Sequence, residues 1–452
     1  RPSSATATSL PGNAMKNALR TSVVALLFAT PLSAQMGGMT AGAPPRAMQG
    51  PVVLKAARML DVVSGRMIQN ATIVVENGRI TAVNPASLPD SAHTMDLGDV
   101  TLLPGFMDMH THLVSEIGAS SFTAAVTQTV ADETLGAVKY GQRTVMAGFT
   151  TVRDFGGDAT VAYGRAVERG DVAGPHVIPS RAALGVTGGH CDVTGFAPGI
   201  AEQDWRDGVA DGVDEVLKAV RHQVKHGAQV IKTCATAGVL SMEGPVGAQQ
   251  YSFEELRAMV DEAARHGLKV AAHAHGSEGI LAAVKAGVAS IEHGSMLTDE
   301  IIAEMKARGT YLVPTTYLAD RIPLETLPPI VRGKAEQVLP VMRVSLERAI
   351  AAGVKIAFGT DAGVYPHGEN AGEFAVYVKL GMSPLDALRT ATVNAADLLG
   401  KDDRGVLAEG KLADIIAVAG NPLEDIEATK DVRFVMVGGR AVKHVMGGMG
   451  TH

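Results

Sequence analysis

The sequence predicts an α/β protein, a (β/α)8 TIM-like barrel beside a small β domain built from both ends of the chain. Three observations predict it. Strand-like and helix-like stretches alternate through most of the 452 residues. Histidines, a lysine and an aspartate stand at the ends of the strand-like runs, where a parallel barrel gathers its active residues. Segments near the two ends of the chain break the alternation and read as hairpins.

The barrel strands are expected at 102–110, 150–154, 176–180, 229–233, 269–273, Ser290–His293, 311–315 and 355–359, all apolar and β-rich. Helical patterns fall between them, among them 212–226, 252–266, Ser277–Ala286 and 298–308. Ser252 with Glu255 and Thr298 with Asp299 mark helix starts, and Gly227, Gly267, Gly287 and Gly309 mark helix ends. Outside this pattern, 52–84 reads as short strands with a turn at Glu76-Asn77-Gly78, and 413–418 and 432–442 are strand-like around Gly438-Gly439. The expected boundaries are 51–103 with 405–445 for the β domain and 104–404 for the barrel.

The first part of the chain reads as an address. From Met15, Lys16 and Arg20 precede a short apolar run at 23–29, Pro31 breaks it, and Leu32-Ser33-Ala34 offers a small-residue cleavage site. This predicts a signal peptide at 15–34 and an exported protein, periplasmic or secreted, with no membrane attachment after cleavage. Residues 1–14 read as an upstream segment and 35–50, rich in Met, Gly, Ala and Pro, as a flexible leader. A net charge of −7 and an aromatic content of 4% give no case for nucleic acid or an anionic membrane as partner. The two cysteines, Cys191 and Cys234, form no disulfide framework; two buried thiols are the favoured reading and one bridge the alternative. No nucleotide-binding glycine pattern stands in the right context.

The chemistry rests on five motifs. His110 and His112 in PGFMDMHTHL end the first strand, and even spacing projects both imidazoles to one side. Lys232 in IKTCATAG ends the fourth, where a bare ammonium among Val230, Ile231 and Cys234 is costly. His273 and His275 in AAHAHG end the fifth, His293 in IEHGS the sixth, and Asp361 in GTDAG the eighth. In a barrel these ends converge on one mouth.

Together these motifs resemble the amidohydrolase superfamily, and within it the metal-dependent carboxypeptidase branch of Xaa-Arg/Lys dipeptidases, prolidase-like enzymes and ochratoxin-hydrolysing amidases. The resemblance covers residues 52–442. It implies a β-sandwich beside the barrel and two divalent metal ions, usually Zn2+. In that pattern His110, His112 and Asp361 hold the more buried ion and His273 and His293 the other. A CO2-derived carbamate on Lys232 bridges both. His275 then faces the substrate, with an exchange of roles between His273 and His275 left open. Asp361 is the expected catalytic acid/base, beside a water molecule that the ions activate. The resemblance also implies a homo-oligomer, with an octamer as one arrangement.

Substrate contacts are expected from His190, in the Gly188-Gly189-His190 loop, and from the Tyr251 phenol, with a plain loop histidine and a surface staple of the following helix as the respective alternatives. Arg153, Arg181 and His367 also follow strand ends and could reach an anionic group. The expected reaction is hydrolysis of the amide bond of a small-molecule substrate, a dipeptide or N-acyl amino acid with a free C-terminal carboxylate. Ochratoxin A is one candidate. The alternative is a superfamily member acting on cyclic amides, lactones or heterocycles. A non-enzymatic binding protein is disfavoured because no ligand position is missing.

Overall fold

The computed structural model describes residues 50–118 and 121–445. The expected upstream segment 1–14, the signal peptide 15–34 and nearly all of the leader lie outside the described residues. Both ends of the described chain meet in one mixed sheet. Strands β1 (Val52–Asp61), β2 (Arg66–Glu76), β3 (Arg79–Val83), β4 (His93–Asp96) and β5 (Val100–Pro104) come from one end. After the parallel strands described below, β13 (Ile415–Ala419), β14 (Val432–Val437) and β15 (Arg440–His444) come from the other. The order is β15-β14-β13-β5-β1-β2-β3, with β4 also pairing β1. The seam is the antiparallel ladder from Ile415↔Pro104 to Ala419↔Val100. This sheet buries its own core, including Leu54, Ile73, Leu102, Ile415 and Phe434. Backbone pairing joins these strands into one continuous sheet.

The second layer is parallel. Strands β6 (Phe106–Thr111), β7 (Phe149–Asp154) and β8 (His176–Pro179) form one sheet. Strands β9 (Ile231–Cys234), β10 (Val270–Ala274), β11 (Ser290–His293) and β12 (Tyr311–Val313) form another. Backbone hydrogen bonds link the two: Gln229 N–H donates to Pro179 O, and Leu184 N–H to Lys232 O. On the other side the 355–359 segment makes only an isolated bridge, Leu312↔Ile356, while Met109 N–H donates to Phe358 O. The expected eighth strand is therefore an extended segment without a ladder of its own.

The run expected as one strand at 102–110 divides at Gly105, so that its first half lies in the mixed sheet and its second in the parallel one. Close packing requires the glycine: a Cβ there would stand 2.1 Å from Thr150 Oγ1. Helices cover the parallel strands where the apolar periodicity placed them, at Gly212–Lys225, Phe253–Arg265, Ser277–Ala286 and Asp299–Arg308. Ser252 and Glu255 form a reciprocal capping box, and Thr298 accepts from Ile301 N–H. A core of Val, Ile, Leu and Ala from strands and helices, centred on residues such as Ile231, Ala272 and Ile291, fixes the strands that carry the site.

Candidate metal centre

The histidine candidates stand at or just past the C-terminal ends of their strands, Lys232 lies within β9, and Asp361 follows the extended 355–359 segment. His110 is the penultimate residue of β6 and His112 follows the strand, and the Nε2 atoms of both approach Asp361 Oδ1, at 3.3 and 3.2 Å. Asp361 and His293 both adopt left-handed backbone angles, φ 60° and 70°. Non-glycine residues rarely do so, and such strain concentrates at functional sites. His110, His293 and Asp361 bring ligand atoms within 4.8 Å of one another, and so do His273, His275 and His293. His293 belongs to both groups, so the two trios adjoin.

Hydrogen bonds fix the ring orientations. His110 Nδ1 donates to Glu292 Oε2 at 2.9 Å, a tautomer that leaves the Nε2 lone pair available to a metal ion. His293 Nδ1 is bonded to Thr315 Oγ1 and His275 Nδ1 to Ser295 Oγ, each at 2.8 Å. His273 Nε2 is different: it is buried with no hydrogen-bond partner. An orphaned imidazole nitrogen in such a cluster fits a metal ligand. Imidazole nitrogen and carboxylate oxygen are also the ordinary donors for zinc. The residues present therefore fit a divalent-metal centre.

Burial governs the titration of these groups. It pushes His273 and His293 well below the usual histidine value, and neighbouring imidazoles add to the effect. Burial alone would raise Asp361, but His110 and His112 outweigh it and hold the carboxyl well below its ordinary range. Lys232 is buried with its ammonium 4.0 Å from the Phe155 ring centroid, and burial lowers it to about 8 despite the charges of Glu292 and Asp361.

All six expected ligands, His110, His112, Lys232, His273, His293 and Asp361, line one cavity of about 310 Å3, and His190 and His275 line it too. The His190 ring packs against His273 at a tilt of 36°, with centroids 4.2 Å apart, and its Nδ1 is bonded to Ser241 Oγ at 2.6 Å. A Cβ on Gly238 would fall 2.1 Å from this imidazole, so the loop after β9 needs glycine there to let His190 in. Cys191 and Cys234 form a disulfide, which corrects the favoured reading of two thiols and ties the His190 loop to the end of β9. Removing the bridge, by reduction or by Cys191→Ser, is expected to cost about 2–4 kcal/mol of stability. A thermal melt with and without dithiothreitol checks this.

Tyr251 is a correction. It is fully buried, its hydroxyl donates to Ala210 O at 3.0 Å, and it does not line the cavity. The phenol anchors the start of a helix against the core and cannot meet a substrate carboxylate there. The three less specific candidates also point elsewhere. Arg181 pairs with Asp158 at 2.6 Å, His367 Nε2 donates to Ser115 O at 3.1 Å, and Arg153 is buried against Glu292 at 2.7 Å.

Sequence reasoning missed Glu292 and Asp108 behind the ligands and read Arg153 as a candidate contact for an anionic group of the substrate. Arg153 on β7 and Glu292 on β11 join the two parallel sheets, and Arg153 also donates to Met109 O and Ser290 Oγ. Asp108 accepts from His110 N–H and from the Thr360 hydroxyl, at 3.0 and 2.6 Å. It thereby braces the two segments that carry His110 and Asp361, and burial raises its carboxyl to about 7 against those hydrogen bonds. The available signal was a charged residue inside an otherwise apolar strand, as in TTVRDF and SIEH.

Imidazoles and a carboxylate gathered at one end of the parallel strands form two groups that could hold a metal ion, as in hydrolases of the barrel type. The amidohydrolase family model matches residues 101–442. An ochratoxinase from Aspergillus niger is 34% identical over 414 residues, covering 84% of each chain. The structure superimposes on a Xaa-Pro dipeptidase with bound methionine at a TM-score of 0.84 and 37% identity, covering 87% of this chain and 100% of that one. It also superimposes on a prolidase complexed with N-methylphosphonate-L-proline at a TM-score of 0.80 and 33% identity, covering 87% and 100%. The chain belongs to the amidohydrolase family and is a hydrolase.

Proposed function

We propose that this chain is an exported, binuclear metal-dependent amidohydrolase that cleaves the amide bond of dipeptides or N-acyl amino acids bearing a free C-terminal carboxylate. The observation that carries this reading is the convergence of His110, His112, His273, His293, Asp361 and Lys232 on one cavity. The ochratoxinase and the dipeptidase and prolidase structures support the substrate class, and ochratoxin A is a candidate. On this reading the two parallel sheets and the 355–359 segment make up a closed (β/α)8 barrel, and the mixed sheet curls into the sandwich.

His110, His112 and Asp361 would hold one ion, His273 and His293 the other, with Lys232 bridging as a carbamate. When bound, such ions, most simply zinc, lower the pKa of water toward about 7 and polarise a carbonyl. The Asp361 carboxylate takes the proton of the attacking water and returns it to the nitrogen of the leaving amine. Glu292 keeps the His110 proton on Nδ1. His190 and His275, on the cavity wall, orient the substrate through hydrogen bonds from their ring nitrogens.

The test is a release assay on protein loaded with zinc in bicarbonate buffer. N-acetyl amino acids, Xaa-Pro and Xaa-Phe dipeptides and ochratoxin A are expected to yield the free amino acid, and a chelator to abolish release. Turnover confined to hydantoins or lactones, or turnover indifferent to chelation, would overturn the reading.

A further inference from the structure

The cavity has two unlike walls. One carries the imidazoles, Lys232 and Asp361; the other is apolar and comes from separate parts of the chain. Ile117 follows β6, Leu240 lies in the loop after β9, and Leu339 and Met342 belong to the long helix Pro329–Ala352. Ile117, Leu240 and Leu339 are only half-buried, and they pack against buried Ile322 and Val364. Half-buried aliphatic side chains that converge on a cavity leave apolar surface to be covered by whatever enters.

The wall is built to stay in place. Lys334, buried on the same helix, donates its Nζ protons to the carbonyls of Gly238, Ser241 and Glu243. This fastens the Leu240 loop to the helix that carries Leu339. Among the described residues Asp361 is the one carboxylate lining the cavity, and His110 and His112 already engage it. A substrate lysine or arginine side chain would therefore find no free carboxylate among the lining residues, and an unpaired charge against an apolar wall is strongly disfavoured.

We infer that the apolar wall of Ile117, Leu240, Ile322, Leu339 and Met342 selects substrates with a bulky, uncharged apolar side chain next to the scissile amide, of phenylalanine or leucine type, over basic or acidic ones. This rests on the amide-hydrolase reading and narrows it.

The experiment uses the zinc-loaded full chain and N-acetyl-phenylalanine, -leucine, -lysine and -aspartate. Two readouts are taken, kcat/KM for release and Kd by calorimetry. The apolar pair is expected to exceed the charged pair by about 10²-fold or more in kcat/KM. Leu339→Glu and Leu240→Glu, each at a half-buried position, should cut the phenylalanine-to-lysine ratio by about 10-fold or more. Thermal melts confirm that each variant is folded, and the two variants guard against loss of either one. Apolar ligands that bind selectively without being cleaved would uphold the wall and sink the amide-hydrolase reading. Equal use or binding of charged substrates, an unchanged ratio in both folded variants, or no binding and no release at all would overturn the inference.

Discussion

Asp361→Asn is expected to lower turnover by about 10²–10⁴-fold while metal content is retained. The two side chains are nearly isosteric, so the amide oxygen can still face His110 and His112, which lie 3.3 and 3.2 Å from the native Oδ1. What the amide cannot do is accept a proton from water and pass it to a leaving amine. The prediction therefore separates proton transfer from metal holding. Metal analysis beside a release assay checks it, with His112→Ala as the contrasting variant that loses metal along with activity. Wild-type turnover in a metal-replete Asp361→Asn protein would remove the acid/base role. The strained backbone at this position, φ 60°, gives a second check. Asparagine tolerates that conformation well, so a large loss of activity with an unchanged melting temperature cannot be ascribed to misfolding.

Much of this site was legible because its chemistry is written in short motifs at strand ends. The six ligand candidates stand beside β-rich runs, and strand periodicity alone gives His110 and His112 a common direction. Contacts distant in sequence were not legible. Tyr251 illustrates this: its neighbours GAQQYSFEEL suggest a loop facing the substrate, yet the phenol turns inward to Ala210, and nothing local encodes that choice. Cys191 and Cys234 pair across a separation of 43 residues, which only the folded loop decides. The division of the expected first strand at Gly105 depends on the approach of Thr150, again a tertiary fact. The apolar wall has the same origin, since Ile117, Leu240 and Leu339 become neighbours only when the long helix packs against the loops.

The Arg153–Glu292 pair shows how such hidden contacts reach the chemistry, and it can be taken apart in two steps. Both side chains are buried, at 2% and 0% exposure, with Arg153 Nη2 2.7 Å from Glu292 Oε1. Burial would by itself raise the Glu292 carboxyl, but Arg153 and His110 outweigh it and bring it down to about 2. Glu292→Met leaves Arg153 charged and unpaired in the interior, and should cost about 3–5 kcal/mol of stability. It also strips His110 Nδ1 of its acceptor, so metal affinity should fall by about 10–100-fold. Adding Arg153→Met removes the stranded charge, and replacement of a buried ion pair by apolar side chains is commonly neutral or stabilising. The double variant should therefore recover most of the lost stability and none of the lost metal affinity, because the acceptor for His110 is still missing. Denaturant melts read the first quantity and chelator competition the second. If both recover together, the pair serves packing alone; if only stability recovers, Glu292 positions His110 for metal.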